Sequence, residues 1–423
     1  MLQPCRSDRT RQTRNGFVTD TQLRPNRVAL TDDYSISEIV VGGWQFSTGH
    51  RTPRLDPAEA TDLLVRLASA GFTTLDCADI YSGVEELFGD VLRLYRATAT
   101  SDALPLQVHT KFVPDLDALR TVDRAYVERI IHRSLRRLGV ERLDLVQFYW
   151  WDDAIAGSVE AARCLSDLRD AGKIRYIGAT NLDTARLREM EAAGVRFVTN
   201  QVQYSLLDRR PEGGLIEYCH ATNIKLIAYG TVGGGLLSAT YLGVDEPHDL
   251  LATRSLTKYR LIVEEIGGWG ALQRLLSAAH RVAAKYGVSV ASVATRFILE
   301  QPSVAGCVVG MTHPAHLSGA LATCALRLSP DDHAELRQAC AAVVSPSGDV
   351  FQLERDRSGS HGRIMKYDLN REMAESPSTV LTSARWTCAP QPHEPSRYSC
   401  LPRTSADDDI TELPPTEGGT RDS

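Results

Sequence analysis

Residues 73–81 of the chain are Thr-Thr-Leu-Asp-Cys-Ala-Asp-Ile-Tyr, and residues 107–111 are Gln-Val-His-Thr-Lys. Each stretch ends a short apolar run typical of a β-strand, so Asp76, Tyr81 and Lys111 are predicted to meet at one rim of a parallel β structure. A nearby ammonium lowers the pKa of a phenol from its ordinary value of about 10, and a carboxylate keeps that ammonium charged and oriented. The three side chains therefore form a candidate proton-transfer site.

The same rhythm extends over residues 36–343, where short apolar runs alternate with longer segments of helical periodicity. The strand candidates are residues 39–42, 73–76, 107–111, 143–149, 174–179, 197–201, 225–229 and 306–309, and the helix candidates include 56–70, 124–138, 158–171, 183–193 and 272–286. Eight such units predict a closed (β/α)8 TIM barrel, because each parallel strand needs a helix to cover one face. The competing fold is an open doubly wound sheet, but no Gly-x-Gly-x-x-Gly turn follows an early strand.

The 423 residues exceed the barrel, so the chain is divided into four parts. These are a disordered extension (1–30), the barrel (31–345), a polar segment that either crosses the barrel mouth or is free (346–371), and a disordered proline-rich tail (372–423). The arginine-rich start also resembles a mitochondrial presequence faintly, but Asp8, Asp20 and the missing apolar face favour disorder. The long insertion 230–270 is predicted to be a lid or binding loop.

Composition is that of an ordinary soluble protein, with 43% hydrophobic residues and a formal net charge of -6. Nothing in this balance favours nucleic acid as a partner. No apolar run approaches the roughly 18–20 residues that a membrane span requires. The nine cysteines show neither a Cys-x-x-Cys pair nor metal-ligand spacing, which predicts free thiols, no metal site and a cytoplasmic protein.

The pattern Asp-x-Ala-x-x-Tyr at residues 76–81, followed by Thr-Lys at 110–111, resembles the aldo-keto reductase family. The resemblance implies that Tyr81 donates a proton to a substrate carbonyl, that Lys111 tunes it and that Asp76 anchors the lysine. Residues 178–181, 200–204 and 228–230 are similar to family stretches that bind the nicotinamide, and the glycines at 233–235 are similar to a pyrophosphate loop. The cofactor-binding residues implied in this way are Asp76, Thr180, Asn181, Gln201, Tyr229, Gly230, Gly233, Gly234, Leu236, Gly310, Thr312 and His316.

Two departures from the family pattern affect the expected function. Residues 143–150 are Leu-Asp-Leu-Val-Gln-Phe-Tyr-Trp, so Tyr149 stands where the family has a histidine that orients the carbonyl. A tyrosine O–H is also a donor, which makes Tyr149 the fourth candidate catalytic residue unless a register shift puts Phe148 or Trp150 there. After the last strand, Thr312, His313 and His316 replace the fixed cation expected for a phosphate, so NADP is predicted and NAD is an open alternative.

The sequence therefore predicts a cytoplasmic NAD(P)H-dependent oxidoreductase that reduces aldehydes or ketones, acting as a monomer or weak oligomer. Trp44, Trp150 and Trp151 are predicted to line the substrate site and favour a bulky apolar or aromatic carbonyl compound. A role in making or detoxifying an aromatic metabolite is implied by family analogy only. The missing histidine motivates a rival, a nicotinamide-binding sensor with little catalysis, and a barrel that binds no nucleotide is a third hypothesis.

Overall fold

Eight parallel strands close into a barrel in the structure, a computed structural model that describes residues 24–48, 56–247 and 253–370. An antiparallel hairpin of β1 (Arg27–Thr31) and β2 (Tyr34–Ser37) precedes the barrel. The barrel strands are β3 (Ile39–Gly42), β4 (Thr74–Asp76), β5 (Gln107–Phe112), β6 (Leu143–Phe148), β7 (Ile174–Thr180), β8 (Thr199–Gln203), β9 (Lys225–Tyr229) and β10 (Val304–Val309). Since β10 pairs with β3, the predicted closed barrel is confirmed and the open-sheet alternative is wrong.

Helices follow the strands and mostly cover the outside of the barrel, while the last two, beyond residue 350, belong to the segment that crosses its carboxyl end. They are α1 (Pro57–Ser69), α2 (Val84–Thr98), α3 (Arg124–Leu138), α4 (Ser158–Asp170), α5 (Thr184–Ala192), α6 (Leu215–Thr222), α7 (Arg254–Glu265), α8 (Trp269–Tyr286), α9 (Val290–Leu299), α10 (His316–Ala325), α11 (Pro330–Ala341), α12 (Gln352–Arg355) and α13 (Ser360–Arg363). Local chemistry sets their ends: Asp56 caps α1 by accepting from two backbone N–H groups, and Gly139 ends α3 at a φ of 64°.

The hairpin closes the amino-terminal end of the barrel. Its side chains Leu30, Tyr34 and Ile36 form a buried apolar cluster with Val40, Ile227 and Ala305 of the barrel strands. The Tyr34 hydroxyl also lies 3.0 Å from Nε2 of the buried His109. The predicted disordered extension, residues 1–30, is therefore too long, because β1 begins at Arg27 and buries apolar surface; residues 1–23 lie outside the described part of the chain, as does the predicted tail 372–423.

Residues 349–370 cross the opposite, carboxyl end of the strands and are named here the C-terminal strap. Its Tyr367 accepts a hydrogen bond from the backbone of Leu116 at 3.0 Å, and its Asn370 donates to the Asp115 carboxylate at 2.8 Å. The Tyr367 ring also lies 4.9 Å from that of Trp151. The strap is thus attached to the loops after β5 and β6 and forms one wall of the barrel mouth.

A search of the described helices for membrane spans finds no single helix with sufficient length and hydropathy. Helices α8 and α9 meet that criterion only when taken together, and they are bent by 95° to each other.

Candidate active site

A cavity of about 350 Å³ opens at the carboxyl ends of the barrel strands. Three parts of the chain form its wall: the strand ends, the start of α7 and the C-terminal strap. The predicted residues that line it are Trp44, Asp76, Tyr81, Lys111, Tyr149, Trp151, Thr180, Asn181, Gln201, Tyr229, Gly230, Gly234 and Gly310. The barrel therefore brings together residues that are up to 266 positions apart, from Trp44 to Gly310, around one space.

Asp76 and Lys111 form a buried ion pair at the base of this cavity. The Lys111 ammonium donates to Asp76 Oδ2 at 2.6 Å and to the Cys77 carbonyl at 2.7 Å. Oδ1 of Asp76 accepts from the amides of Gln147 at 3.0 Å and Gln201 at 2.6 Å. Both carboxylate oxygens are satisfied by side chains of three other strands, β5, β6 and β8, which is the condition under which a buried ion pair is tolerated. The pair is consequently rigid and holds the lysine charge in place.

The Tyr81 side chain lies beside this pair, with its ring centroid 5.3 Å from the Lys111 nitrogen. Trp44 covers the same ring at a centroid distance of 5.0 Å. Burial raises the pKa of Tyr81, and Lys111 opposes that rise without cancelling it. The expectation of a lowered pKa is therefore not met in the structure as it stands, although Lys111 acts in the expected direction. Tyr81 is a protonated phenol at neutral pH and is available as a proton donor.

Tyr149 lines the cavity, whereas its neighbours in sequence do not. Its ring packs edge-on against Trp151 at 4.8 Å and Phe351 at 5.8 Å, and burial raises its pKa well above the usual range. Its buried hydroxyl has no hydrogen-bond partner among the described residues. A buried donor without a partner is costly, which makes this O–H available to a ligand oxygen.

The adjacent Trp150 points away from the cavity. Its Nε1 donates to the Ile155 carbonyl at 2.9 Å, and its ring is 1% exposed and stacked on Phe148. The prediction that Trp150 contacts substrate is therefore wrong, because successive side chains at a strand end alternate in direction. Of the three residues that could occupy the position of the family histidine, Phe148, Tyr149 and Trp150, it is Tyr149 that lines the cavity.

Asn181 and Tyr229 meet on the opposite wall. The Tyr229 hydroxyl donates to Asn181 Oδ1 at 2.9 Å, and Asn181 has left-handed backbone geometry with a φ of 58°. Gly230 lies beside them, and a Cβ there would overlap the Tyr259 side chain. This wall offers an aromatic ring, an amide and space where no side chain fits. The residues present therefore fit a flat heteroaromatic amide such as nicotinamide.

Comparison with known proteins gives the fold and chemistry a context. The family model described as the Aldo/keto reductase family matches residues 38–341. The chain belongs to the aldo/keto reductase family. A Schizosaccharomyces pombe relative with the name putative aryl-alcohol dehydrogenase is 28% identical over an alignment of 304 positions, which covers 66% of this chain and 84% of the relative. Aldo-keto reductase YhdN of Bacillus subtilis is 26% identical over 349 residues, covering 79% of this chain and 96% of its own.

A solved glycerol dehydrogenase from Gluconobacter oxydans superposes on 78% of this chain and 98% of its own, with a TM-score of 0.62 and 23% identity. This likeness shows the (β/α)8 fold, as the strand order does. As an aldo/keto reductase, the protein is an oxidoreductase, and its family uses nicotinamide cofactors and small carbonyl substrates.

The residues predicted for the phosphate end of an aldo/keto reductase cofactor are only partly at the cavity. Gly234 lines it, whereas Gly233 and the Leu236 side chain are buried, so contact of their backbone with a pyrophosphate stays a prediction. Thr312 and His316 lie beyond the cavity wall, where the Thr312 N–H donates to His316 Nδ1 at 3.2 Å in an exposed turn. Of the predicted cofactor-binding residues, those expected at the adenosine end of the cofactor thus have the weakest structural support.

Several cavity residues escape the sequence motifs. They are Gln45, Ile80, Val113, Arg254, Ser255, Thr257, Lys258, Tyr259, Phe351, Ile364, Met365, Lys366 and Leu369. A signal existed for α7, since Arg254 and Lys258 are four residues apart and therefore share a helix face within the predicted lid. No comparable signal marks the strap, because its contacts with the barrel are all distant in sequence. Within the described ranges, no group of His, Cys, Asp or Glu side chains is arranged to hold a metal ion.

Lys258 is the best-enclosed of these cations. Its ammonium lies 5.1 Å from the Tyr229 ring centroid and 5.2 Å from that of Phe351, and 3.7 Å from the Glu354 carboxylate. Burial lowers its pKa and Glu354 opposes that effect. Glu354 also pairs with Arg210 at 3.1 Å, and Arg210 pairs with Asp208 at 2.6 Å. The four charges balance, so the strap is held to the barrel by a neutral buried network.

Proposed function

We propose that the protein is an NAD(P)H-dependent reductase of aldehydes or ketones. The observation that carries this proposal is the buried Asp76–Lys111 pair, at 2.6 Å, directly beside the phenol of Tyr81 on the cavity wall. When bound, a reduced nicotinamide would supply hydride to the carbonyl carbon. Tyr81 would give its proton to the carbonyl oxygen, so that the carbonyl becomes an alcohol, and the Lys111 charge would stabilise the phenolate that remains.

Tyr149 is proposed to orient the carbonyl. Its O–H has no partner among the described residues and lines the same cavity as Tyr81. A hydrogen bond from this group would fix the carbonyl oxygen near the acid, which is the positioning that a reaction of two bound molecules needs. Because its pKa is raised, Tyr149 keeps its proton and acts as a donor rather than as a proton shuttle.

Asn181, Gln201, Tyr229 and Gly230 are proposed to hold the nicotinamide, with Thr180 and Gly310 beside them. The amides offer hydrogen bonds and the Tyr229 ring offers a stacking face. NADP is the proposed cofactor, on the family resemblance alone, because Lys258 lies beside Tyr229 and is balanced by Glu354. NAD is the alternative, because Thr312 and His316 supply no permanent charge.

The substrate proposed is a bulky apolar or aromatic carbonyl compound. The cavity lining includes Trp44, Trp151, Phe351, Ile80 and Met365, which are apolar or aromatic. Such a wall binds by burying apolar surface and gives little specificity among compounds of similar size. The provisional aryl-alcohol name of one relative is in keeping with this substrate class.

The experiment that tests the proposal is oxidation of NADPH, and of NADH in parallel, by the purified protein with a panel of aromatic aldehydes and ketones. Turnover that depends on both protein and carbonyl compound is expected. Absence of turnover, together with normal cofactor binding, would contradict it and favour the rival function, a nicotinamide-binding sensor. Tyr149 motivates that rival, and a large gain in turnover for Tyr149→His would support it.

A further inference from the structure

Arg355 of the C-terminal strap contacts both walls of the cavity. Its Nη2 donates to the backbone carbonyl of Asn181 at 2.8 Å. Its guanidinium carbon lies 5.8 Å from the ring centroid of Tyr149 and 5.8 Å from that of Phe351. Only 12% of the side chain is exposed, and Asp153 lies 3.8 Å from its Nε. One side chain therefore joins the wall proposed for the nicotinamide to the wall proposed for the carbonyl.

The contact with Asn181 helps to fix a left-handed backbone conformation. A φ of 58° is uncommon for a residue with a Cβ, although asparagine adopts it more readily than most. Asn181 N–H donates to the Gln201 carbonyl at 2.8 Å, and its Oδ1 accepts from Tyr229 at 2.9 Å. Arg355 occupies the remaining backbone acceptor with a charged donor. Loss of that donor would let Asn181 and Tyr229 relax together.

The contact with Tyr149 is of a different kind. Trp151 and Phe351 hold the edges of the Tyr149 ring, and the Arg355 cation attracts its π electrons at a cation–π distance. None of these contacts uses the hydroxyl. They orient the ring and leave its O–H available to a ligand.

Arg355 is itself held in place by its neighbour. Glu354 is fully buried and bonds Arg210 through both oxygens, at 3.1 and 3.2 Å. That anchor fixes the backbone of α12 and so places the start of the Arg355 side chain within reach of Asn181 and Tyr149.

We propose that Arg355 is a positioning residue that couples the nicotinamide wall to the carbonyl-orienting hydroxyl of Tyr149. The expected effect on kcat/KM rests on the proposed function. The expected effects on NADPH binding and on the coupling to Tyr149 can be measured without turnover. Arg355 acts through Asn181 and Tyr149 and touches no reacting atom.

The test compares Arg355→Met with Arg357→Met, a matched control two residues away. Arg357 lies on the same strap, but its side chain is 56% exposed and pairs with Asp152 at 3.2 Å. We expect Arg355→Met to lower kcat/KM by about 20-fold or more and to weaken NADPH binding about fivefold, with Arg357→Met within about twofold of the parent. Equal effects of the two substitutions would overturn the proposal.

A double-mutant cycle separates positioning from general damage to the fold. In a Tyr149→Phe background, Arg355→Met is expected to cost much less turnover than in the parent, because the hydroxyl that it positions is gone. Arg355→Lys keeps a cation near the Tyr149 ring but loses the planar fork, so it is expected to recover kcat more than cofactor affinity. Losses that simply multiply, or no recovery by lysine, would assign Arg355 a structural role only.

The role of Arg355 can still be tested if the protein proves not to be a reductase. If the parent binds NADPH without turnover, weaker binding by Arg355→Met but not by Arg357→Met supports the coupling, and equal binding overturns it. If the parent does not bind NADPH at all, the cycle is repeated with Tyr149→Leu, which removes the ring that Arg355 contacts, and is measured on the free energy of unfolding by urea. A coupling between Arg355 and Tyr149 within experimental error would then overturn the proposal.

Discussion

The rim around Asp76 and the turn at residues 310–316 are predicted to hold opposite ends of one cofactor, yet they are built very differently. At the rim, Asp76 is 3% exposed and receives donors from three strands. In the turn, the bond between Thr312 and His316 is local and exposed. Buried charged contacts are expensive to break, whereas exposed ones contribute little. We therefore expect the buried contacts of Asp76 to determine the reaction strongly. The exposed turn should determine the choice between NADP and NAD only weakly.

Removal of the Tyr81 hydroxyl is expected to have the largest effect. Tyr81→Phe should lower turnover by roughly 10²–10⁴-fold, the usual contribution of a general acid, while NADPH affinity stays within about twofold. Steady-state kinetics and a fluorescence titration measure the two quantities. Tyr218→Phe is the control, since Tyr218 of α6 donates its hydrogen bond to Glu191 of α5 at the protein surface. Turnover of Tyr81→Phe within about fivefold of the parent would remove the proposed acid.

Lys111→Met tests how much the buried ion pair between Asp76 and Lys111 contributes to stability. It leaves the Asp76 carboxylate buried without its cation, so the free energy of unfolding should fall by about 3–5 kcal/mol. Asp76→Asn in the same chain should restore part of that loss. Urea unfolding gives both values, with the exposed Lys173→Met as control. A stability equal to that of the control would show that the rim is more solvated than the structure indicates.

The pH dependence of stability tests the junction between rim and strap. Burial raises the pKa of Asp79 to about 8, against opposition from Arg133, with Glu85 adding to the rise. Its carboxylate contacts the Val113 N–H at 3.2 Å and the Asn370 amide at 3.4 Å. Below pH 8 the folded protein keeps a proton that the unfolded chain has lost, so folding binds a proton and stability falls as pH rises.

The expected fall is about 1 kcal/mol between pH 7 and 8, less than the 1.4 kcal/mol per unit of a full proton because the folded carboxyl begins to ionise in this range. In this range His109 is mostly neutral in both states, because burial lowers its folded pKa to about 4. Asp79→Asn should flatten the dependence, as measured by urea unfolding at a series of pH values. Parallel curves for the parent and Asp79→Asn would show that Asp79 is ionised in the folded protein.

Changes in the turn after β10 should have the smallest effects. Replacing both His313 and His316 with alanine is expected to change the NADPH/NADH ratio of kcat/KM by less than about threefold, since exposed partial charges contribute little. Thr312→Arg is expected to raise that ratio more, because it adds a fixed cation. A loss of more than about tenfold on removal of the histidines would show that this turn holds the phosphate after all.

Most of the barrel could be predicted because strands, helices and terminal glycines leave local signals. Each of the eight strands lies within about two residues of its predicted position. The hairpin was missed because β1 and β2 are short and follow an arginine-rich stretch that resembles a disordered arm. Its stability comes from Ile36 and Tyr34 packing on residues far along the chain, which no local pattern reports.

The rim was predictable because motif residues at strand ends must meet in a barrel. The predicted role of Trp150 is wrong because residue type alone does not report side-chain direction, and strand alternation puts Tyr149 and Trp150 on opposite sides. The direction of the Tyr81 pKa depends on enclosure by Trp44 and the strap, and the roles of Lys258 and Glu354 depend on distant contacts. These features arise only after folding.

The hairpin and the strap have a practical consequence for how the protein is produced. The family match spans residues 38–341, so it starts after β2 and stops before α12. A fragment cut at those limits would expose Val40, Ile227 and Ala305 to water and would lack Phe351. It would therefore be prone to aggregate and would have an open mouth. The smallest expression fragment worth making runs from about residue 24 to 370.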